Sequence, residues 1–347
     1  MVDLNQDVLR EIVYYTDIKD VFQCCQVNKT LCQDDLCQRI YDRLYCQTGM
    51  DVYYKTKKHM NWFQLLKLCY QLDRLRMTLP ILNKYSIKGI YSLTILDLYY
   101  KNISDLVPEI GQLSHLQKLS LYGNTLRTLP TEMGKLHHLQ YLYLSNNQLT
   151  ALPPEMGQMR GFQTLDLFHN QLSALPPEIG QLRDLQKLNL SNNQLSALPP
   201  EIGQLRALQA LYLSNNQLSA LPPEMGQLHH LQYLNLSNNQ LIALPPEMGQ
   251  LHHLHDLSLS NNQLTALPPE MGQMSGLQTL YVSNNQLIAL QPEMSQLHHL
   301  QVLDVSNNQL SALPSTMGQL SNLIILYLSN NQLSVLPPEM ITKIVIL

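Results

Sequence analysis

Leu139-Gln-Tyr-Leu142-Tyr-Leu144-Ser-Asn-Asn147-Gln-Leu149 is the stretch of sequence that decides the fold. The alternation at Leu142 and Leu144 predicts a short strand with its leucines directed inward, so the two tyrosines between and before them must face outward. Asn147 follows the strand at a bend, where its amide can bond to backbone groups of neighbouring turns. We therefore predict a structural role for Asn147.

The same unit recurs along the chain with a constant period. Its asparagine stands every 23 residues from 124 to 331, and one step earlier, at Lys101, lies a degenerate copy, so ten steps from 101 to 331 give eleven repeats. Between units, segments such as Ala151-Leu-Pro-Pro-Glu-Met-Gly157 place proline at a first helical position and glycine at a terminating one. Each return is therefore predicted to be a short helical turn, and stacking is needed to bury the leucines.

These units are strongly similar to the 23-residue leucine-rich repeats of intracellular scaffold proteins such as the Ras suppressor and Scribble families, over roughly Leu93 to Leu336. The resemblance implies an α/β solenoid, a leucine-rich-repeat horseshoe with a parallel sheet on its concave face. Such arrays serve many partners, so the resemblance is far more specific for the fold than for the function.

The first ninety residues precede the repeats. Apolar side chains at helical spacing predict three short amphipathic helices before about Tyr45, which are too small for a strong core of their own and need a partner surface. A fourth, strongly apolar helix, from about Asn61 to Leu72, is predicted to be the N-terminal cap of the sheet. The order of these residues resembles the F-box, although Asn5 stands in place of its usual proline and Cys37 in place of its usual tryptophan. An F-box followed by this helical arrangement also resembles proteins of large DNA viruses of amoebae.

The F-box resemblance implies docking on Skp1, the linker that joins F-box proteins to a cullin-based ubiquitin ligase. The chain would then be the substrate-recognition adaptor of that ligase, holding a target protein on the concave face. The alternative is a non-catalytic scaffold of the Ras-suppressor or Scribble type, whose N-terminal helices only cap the solenoid. The implied Skp1-binding residues are Leu4, Val8, Leu9, Ile12, Asp20, Val21, Val27 and Leu36.

These resemblances predict three segments. Residues 1–48 form an F-box-like helical domain, residues 49–90 a helical linker and N-terminal cap, and residues 91–347 the leucine-rich-repeat domain.

The target-binding surface is predicted by comparing the repeats with one another. The positions around the bend are almost fixed as Ser-Asn, whereas the outward strand positions vary, as expected of a recognition surface; drift after recent duplication is the alternative. Exposed aromatic side chains are common interface anchors, and they cluster toward the start of the array. The predicted target-binding residues are Tyr99, Lys118, Tyr122, Tyr141, Tyr143, Asp166, Phe168, Lys187, Tyr212 and Tyr233.

Composition argues against several other classes of function. A net charge of −4 gives no general attraction to nucleic acid. No apolar run is long enough for a membrane span, and charged residues within Met1 to Tyr15 argue against a signal peptide. All six cysteines lie in the first fifth of the chain, without the paired end caps of extracellular arrays, so we expect a cytoplasmic or nuclear setting.

Motifs for chemistry are also weak. Histidine pairs such as His229-His230 and His252-His253 recur, but other repeats hold unrelated residues at these positions, so no metal site is expected. Gly134-Lys135 lacks the rest of a phosphate-binding loop. Since no nucleophile or acid–base constellation stands out, we predict that the chain is not an enzyme and holds no cofactor.

The last segment, Ile341-Thr-Lys-Ile-Val-Ile-Leu347, is short, apolar and rich in β-branched residues. Such a segment pairs with another strand or aggregates if it is left exposed. We expect it to fold over the end of the core or to meet a second chain, which would allow a dimer through the C-terminal end. The alternative is that a natural cap is missing from this chain.

Overall fold

The computed structural model describes residues 62–335 and the backbone of residues 344–346. The Skp1-binding positions predicted between Leu4 and Leu36 therefore lie outside the described residues. The chain divides into two compact units, the first comprising Met1–Thr94 and Val107–Leu116 and the second Ile95–Leu106 and Gln117–Leu347.

The described part of the first unit is helical. Helix α1 (Trp62–Thr78) is followed by a 3-10 turn (Pro80–Lys84) and by helix α2 (Ile87–Tyr91). Ser86 caps α2, since its hydroxyl accepts a hydrogen bond from the Gly89 amide. Helix α1 packs against the 3-10 turn Pro108–Gln112 of the same unit, where the Arg74 guanidinium and the carboxylate of buried Glu109 lie 2.8 Å apart.

Cys69 lies on the buried side of α1 and has no exposed surface. Burial, and secondarily the nearby Asp73 carboxylate, raises the pKa of the Cys69 thiol to about 12. The thiol is therefore neutral at physiological pH, and Cys69 acts as a small apolar side chain in the core of this unit.

The second unit is one parallel sheet whose strand order follows the sequence from β1 to β12. Each residue of β1 to β10 pairs with the residue 23 positions later, as Leu142 does with Leu165, and the central leucine of each of the first eleven strands is buried. The solenoid fold expected from the sequence is confirmed. The strands are β1 (Ile95–Asp97), β2 (Lys118–Ser120), β3 (Tyr141–Tyr143), β4 (Thr164–Asp166), β5 (Lys187–Asn189), β6 (Ala210–Tyr212), β7 (Tyr233–Asn235), β8 (Asp256–Ser258), β9 (Thr279–Tyr281), β10 (Val302–Asp304), β11 (Ile325–Tyr327) and β12 (Ile344–Ile346).

The C-terminal segment adds the last of these strands. Ile344 pairs with Ile325, so β12 continues the parallel sheet beside β11. The expected pairing of this segment with another strand is confirmed, and the partner is a strand of the same chain. Contact with a second chain stays a prediction.

Short 3-10 helices form the returns between strands, as the proline and glycine positions predict. Glycine recurs in them because neighbouring returns approach closely: a Cβ atom on Gly203 would lie 2.4 Å from the carbonyl oxygen of Glu224 in the next return. The returns in the second unit are Thr131–Lys135, Pro154–Gln158, Pro177–Gln181, Pro200–Gln204, Pro223–Gln227, Pro246–Gln250, Pro269–Gln273, Pro292–Gln296 and Ser315–Gln319.

From Asn124 to Asn308, a buried asparagine links each repeat to the one before it, as predicted for Asn147. In a central repeat, the Asn216 amide donates to the carbonyl oxygens of Leu190 and Leu213, each at 3.0 Å, and its Oδ1 accepts from the Leu195 amide. The Leu213 carbonyl also accepts from Asn239 of the following repeat, so the bonds form a continuous ladder. The sequence-based structural role is confirmed.

The residue before each ladder asparagine adopts a backbone conformation that explains the fixed sequence at the bend. Asn215 has φ 56°, in the left-handed region, and asparagine tolerates this region better than most residues. Gly123, with φ 68°, holds the equivalent position one repeat after Tyr100. The near-constant asparagine of the Ser-Asn pair therefore meets a backbone requirement.

Replacing Asn216 with alanine should lower the free energy of unfolding by about 2 to 3 kcal/mol, because the buried Leu195 amide loses its partner. Urea unfolding followed by circular dichroism measures the change. Gln217→Ala, at the exposed neighbouring position, is the matched control and should have almost no effect. Equal effects of the two substitutions would contradict a structural ladder.

Gly203→Ala should destabilise the array by roughly 1 to 3 kcal/mol, because the added methyl group meets the Glu224 carbonyl and forces a backbone shift. Gly161→Ala is the control, since the nearest atom to its added Cβ, the His137 carbonyl oxygen, lies 3.8 Å away. The midpoints of thermal unfolding of the two variants test the prediction. An unfolding midpoint for Gly203→Ala equal to that of Gly161→Ala would show that the returns adjust freely.

Candidate target-binding face

Aromatic side chains collect on the outward side of the first strands of the second unit. They line a groove of about 470 Å³, which we call the aromatic groove. Its lining residues lie on the strands or just after them, and each of the first five repeats contributes between one and three of them. The groove is lined by Asp97, Tyr99, Lys118, Ser120, Tyr122, Tyr143, Ser145, Asn146, Asp166, Phe168 and Asn189.

The structure brings six of the ten predicted target-binding residues together in this groove. These are Tyr99, Lys118, Tyr122, Tyr143, Asp166 and Phe168. Tyr141, Lys187, Tyr212 and Tyr233 also occupy outward strand positions but do not line the groove. The target-binding role of all ten stays a prediction.

The four residues outside the groove have local partners or lie further along the sheet. The Tyr141 hydroxyl donates to the side-chain oxygen of Gln163 at 3.0 Å. The Lys187 ammonium lies 5.5 Å from the centre of the Tyr212 ring. Tyr233 is 43% exposed on β7, three strands beyond the last strand that contributes an aromatic side chain to the groove. Variation at the outward positions therefore continues past the groove.

Two lysine side chains place their ammonium groups against aromatic rings at the groove. The Lys118 ammonium lies 5.4 Å from the centre of the Tyr143 ring, and the Lys101 ammonium lies 5.8 Å from the centre of the Tyr99 ring. Ammonium groups at this distance are attracted by the negative face of an aromatic ring. These contacts favour fixed orientations for both tyrosine side chains.

Tyr100 was absent from the predicted target-binding set, yet it fixes Tyr122. Its hydroxyl donates to the Tyr122 hydroxyl at 3.1 Å, and the two rings meet edge to face with centres 5.1 Å apart. This hydrogen bond raises the pKa of Tyr100. The Tyr100 ring lies so close to Gly123 that a Cβ atom there would be 2.4 Å away. The sequence signal for this close approach was Gly123, which stands at the bend position where most other repeats have asparagine.

Aspartate and asparagine at the second outward position have a structural use that sequence reasoning missed. Asp166 accepts a hydrogen bond from the backbone amide two residues later, that of Phe168, at 3.2 Å. Asn189, Asn235 and Asp304 make the equivalent bond at 3.0 to 3.2 Å. The sequence signal for this turn was the recurrence of aspartate and asparagine at the second outward position, because the side chains of both can accept such a backbone hydrogen bond.

The histidine pairs in the turns after the returns make ordinary surface contacts. The rings of His230 and His253 stack with centres 6.4 Å apart, and the imidazole of His252 hydrogen-bonds the Gln273 carbonyl. Within residues 62–335, no group of three or more histidine, cysteine, aspartate or glutamate side chains is arranged to hold a metal ion. No helix in the same part of the chain is long and apolar enough to cross a membrane.

Family models match both parts of the chain. The models described as leucine-rich repeat region (residues 131–194 and 223–291), leucine rich repeat (91–149, 183–241 and 298–347) and leucine rich repeats in two copies (275–316) together cover residues 91–347. The chain belongs to the leucine-rich-repeat family. The F-box domain model matches residues 1–33, so an F-box precedes the repeats; of the predicted Skp1-binding residues, only Leu36 lies beyond that match.

Solved structures show the same repeat architecture. The leucine-rich-repeat ectodomain of the plant receptor kinase GASSHO1/SCHENGEN3 of Arabidopsis thaliana, in complex with CASPARIAN STRIP INTEGRITY FACTOR 2, is 33% identical with a TM-score of 0.63, over 69% of this chain and 30% of that one. The functional domain of InlJ from Listeria monocytogenes is 25% identical with a TM-score of 0.62, over 73% of this chain and 54% of that one.

A leucine-rich-repeat protein of Leptospira interrogans is 36% identical over 72% of this chain and 82% of that one, with a TM-score of 0.39. No curated protein gave a significant match.

Proposed function

We propose that the chain is the substrate-recognition adaptor of a Skp1–cullin–F-box ubiquitin ligase. The observation that carries the proposal is an F-box match at residues 1–33 in the same chain as a repeat array that spans residues 91–347. The F-box supplies a docking segment for a Skp1-type linker, and the strand face supplies a surface for a target protein. Both families are protein-interaction domains.

The proposed mechanism is proximity alone. The chain performs no chemistry and holds the target near the ligase, with the aromatic groove as the centre of the target-binding surface. Aromatic side chains fit this role because they combine a large contact area with little conformational freedom to lose. The target is a protein, and neither nucleic acid nor a membrane is a proposed partner.

Several further parts of this proposal rest on sequence reasoning. The setting is cytoplasmic or nuclear, and the segments are an F-box domain at 1–48, a linker and cap at 49–90 and the repeat domain at 91–347. A viral origin and a dimer through the C-terminal end stay predictions.

A non-catalytic scaffold is the second candidate. Helix α1 packs on the 3-10 turn Pro108–Gln112, which favours a capping role for at least this helix. In the scaffold, the helices that the sequence predicts before α1 would serve the array in the same way and would bind no linker.

Co-purification with Skp1 separates the two candidates. The full chain should retain Skp1, and Leu9→Asp or Ile12→Asp should abolish the retention, because an uncompensated carboxylate in an apolar interface costs several kcal/mol. Thermal unfolding of the repeats should change little in these variants. Tyr143→Ala, on the strand face, is the control and should keep Skp1.

Failure of the intact chain to bind Skp1 at micromolar concentration would refute the adaptor. A large fall in the melting temperature of the Leu9 or Ile12 variants would instead show that these residues cap the array.

Target binding should depend on the aromatic groove. For a target captured by the full chain, Tyr143→Ala and Phe168→Ala should each weaken binding by about 1 to 3 kcal/mol, as truncated interface anchors commonly do. Tyr281→Ala removes a tyrosine from the same strand position in a distant repeat and is the matched control. Calorimetric titration measures the affinities.

Substitution of His229 and His230, in the turn after the return Pro223–Gln227, should leave the affinity unchanged. Equal losses for the histidine variants and the groove variants would place the target site elsewhere.

A further inference from the structure

The floor of the aromatic groove contains an unpaired hydroxyl. Ser145 lines the groove with only 3% of its surface exposed, and its Oγ has no hydrogen-bond partner. A buried polar atom without a partner costs free energy, and its hydroxyl can both donate and accept. It can therefore bond to a polar group in the groove once a rotation about the Cα–Cβ bond of Ser145 uncovers the oxygen.

Other repeats show why this hydroxyl lacks a partner. The equivalent Ser306 donates to Asp304, two residues earlier, at 2.6 Å, and Ser283 pairs with Ser260 of the preceding repeat. In the repeat of Ser145, the residue two positions earlier is Tyr143, whose ring points outward and offers no acceptor at that distance. Ser283 also follows a tyrosine, Tyr281, and bonds instead to Ser260; the position equivalent to Ser260 is Tyr122 for Ser145, so neither kind of bond forms here.

The charged residues of the groove favour a cation. Its lining contains the carboxylates of Asp97 and Asp166 and one ammonium group, that of Lys118. One oxygen of Asp166 accepts from the Phe168 amide, and the other makes no hydrogen bond within the described residues. An acidic ligand would leave these carboxylates facing a like charge, whereas a cation would pair with them.

The aromatic walls favour a cation as well. The ammonium groups of Lys118 and Lys101 already lie against the rings of Tyr143 and Tyr99. The chain's own side chains thus show that these rings accept positive charge. The ring of Phe168 lines the same groove without a lysine against it in the described residues.

We propose that the aromatic groove binds an arginine side chain of the target protein, an inference that rests on the proposed target-binding function. A guanidinium group is planar, stacks on aromatic rings and carries five N–H donors. It can donate to the Asp166 carboxylate and to Ser145 Oγ while its plane lies against an aromatic ring. No other single side chain combines these properties.

A pair of short peptides tests the proposal with the full chain. Acetylated, amidated Gly-Gly-Arg-Gly-Gly is compared with the peptide in which citrulline, a neutral isostere, replaces arginine, and binding is measured by calorimetric titration. The arginine peptide should bind at least about tenfold more tightly than the citrulline peptide. Equal affinities, or no binding of the arginine peptide at about 5 mM, would overturn the proposal.

Variants locate the effect. Asp166→Asn removes a charge and preserves the turn, since Asn189 and Asn235 accept the same backbone bond. It should abolish most of the preference for arginine over citrulline, and Ser145→Ala should reduce it severalfold. Asp304→Asn makes the same change at the matching position of a distant repeat and should keep the full preference.

An unchanged preference in Asp166→Asn, with a wild-type melting temperature, would overturn the inference. The peptide titration does not involve Skp1, so a chain that fails to bind Skp1 but prefers arginine would contradict only the adaptor function. A chain that binds Skp1 but does not prefer the arginine peptide over the citrulline peptide would contradict only the arginine site.

Discussion

The buried amide of the repeat asparagine is the interaction on which the rest of the array depends. Asn216 bonds a backbone amide and two carbonyl groups that belong to two successive repeats. The Leu190 carbonyl is shared with the preceding asparagine, Asn193, and the Leu213 carbonyl with the next, Asn239. Every one of these groups is buried between strands and returns, where water cannot replace the asparagine. An insertion within a repeat would break three bonds at once, which gives a physical reason for the constant period of 23 residues.

This ladder leaves the outward strand positions free to vary. The leucines fill the core, and the ladder asparagine bonds the buried backbone groups. Glycine or asparagine adopts the left-handed backbone conformation at most of the bends. The returns carry a second constraint, the close approach of Gly203 to Glu224 and its equivalents. Ser295 takes the glycine position once, and there the opposite residue is Thr316 in place of glutamate.

The fold was predictable from the sequence to a greater extent than the site. Period, strand, bend and return all follow from residues that recur in every repeat, and the structure confirms them. The groove depends on singular residues: its third outward position holds Tyr99, Tyr122, Ser145 and Phe168 in successive repeats, and from Ser191 onward that position holds only serine. Tyr212 and Tyr233 hold the same outward strand positions as Tyr143 and Tyr141, but no aromatic residue follows their strands.

Other features of the groove required the coordinates because they depend on pairs of side chains. The unpaired Ser145 hydroxyl is visible only by contrast with Ser306, whose partner is Asp304. The pairing of Tyr100 with Tyr122 likewise depends on the ring approaching Gly123. Repeat periodicity gives the position of each side chain but not the contacts between neighbours.

The second outward position illustrates how structure and recognition can be separated. Aspartate and asparagine there close the same turn with nearly the same geometry, as Asp166 and Asn189 show on adjacent strands. The turn therefore requires a short side-chain oxygen and does not require a charge. A carboxylate at this position adds a negative charge that the fold does not use, and the aromatic groove contains that charge together with aromatic rings and an unpaired hydroxyl. The negative charge of Asp166 is thus available for a partner at no structural cost.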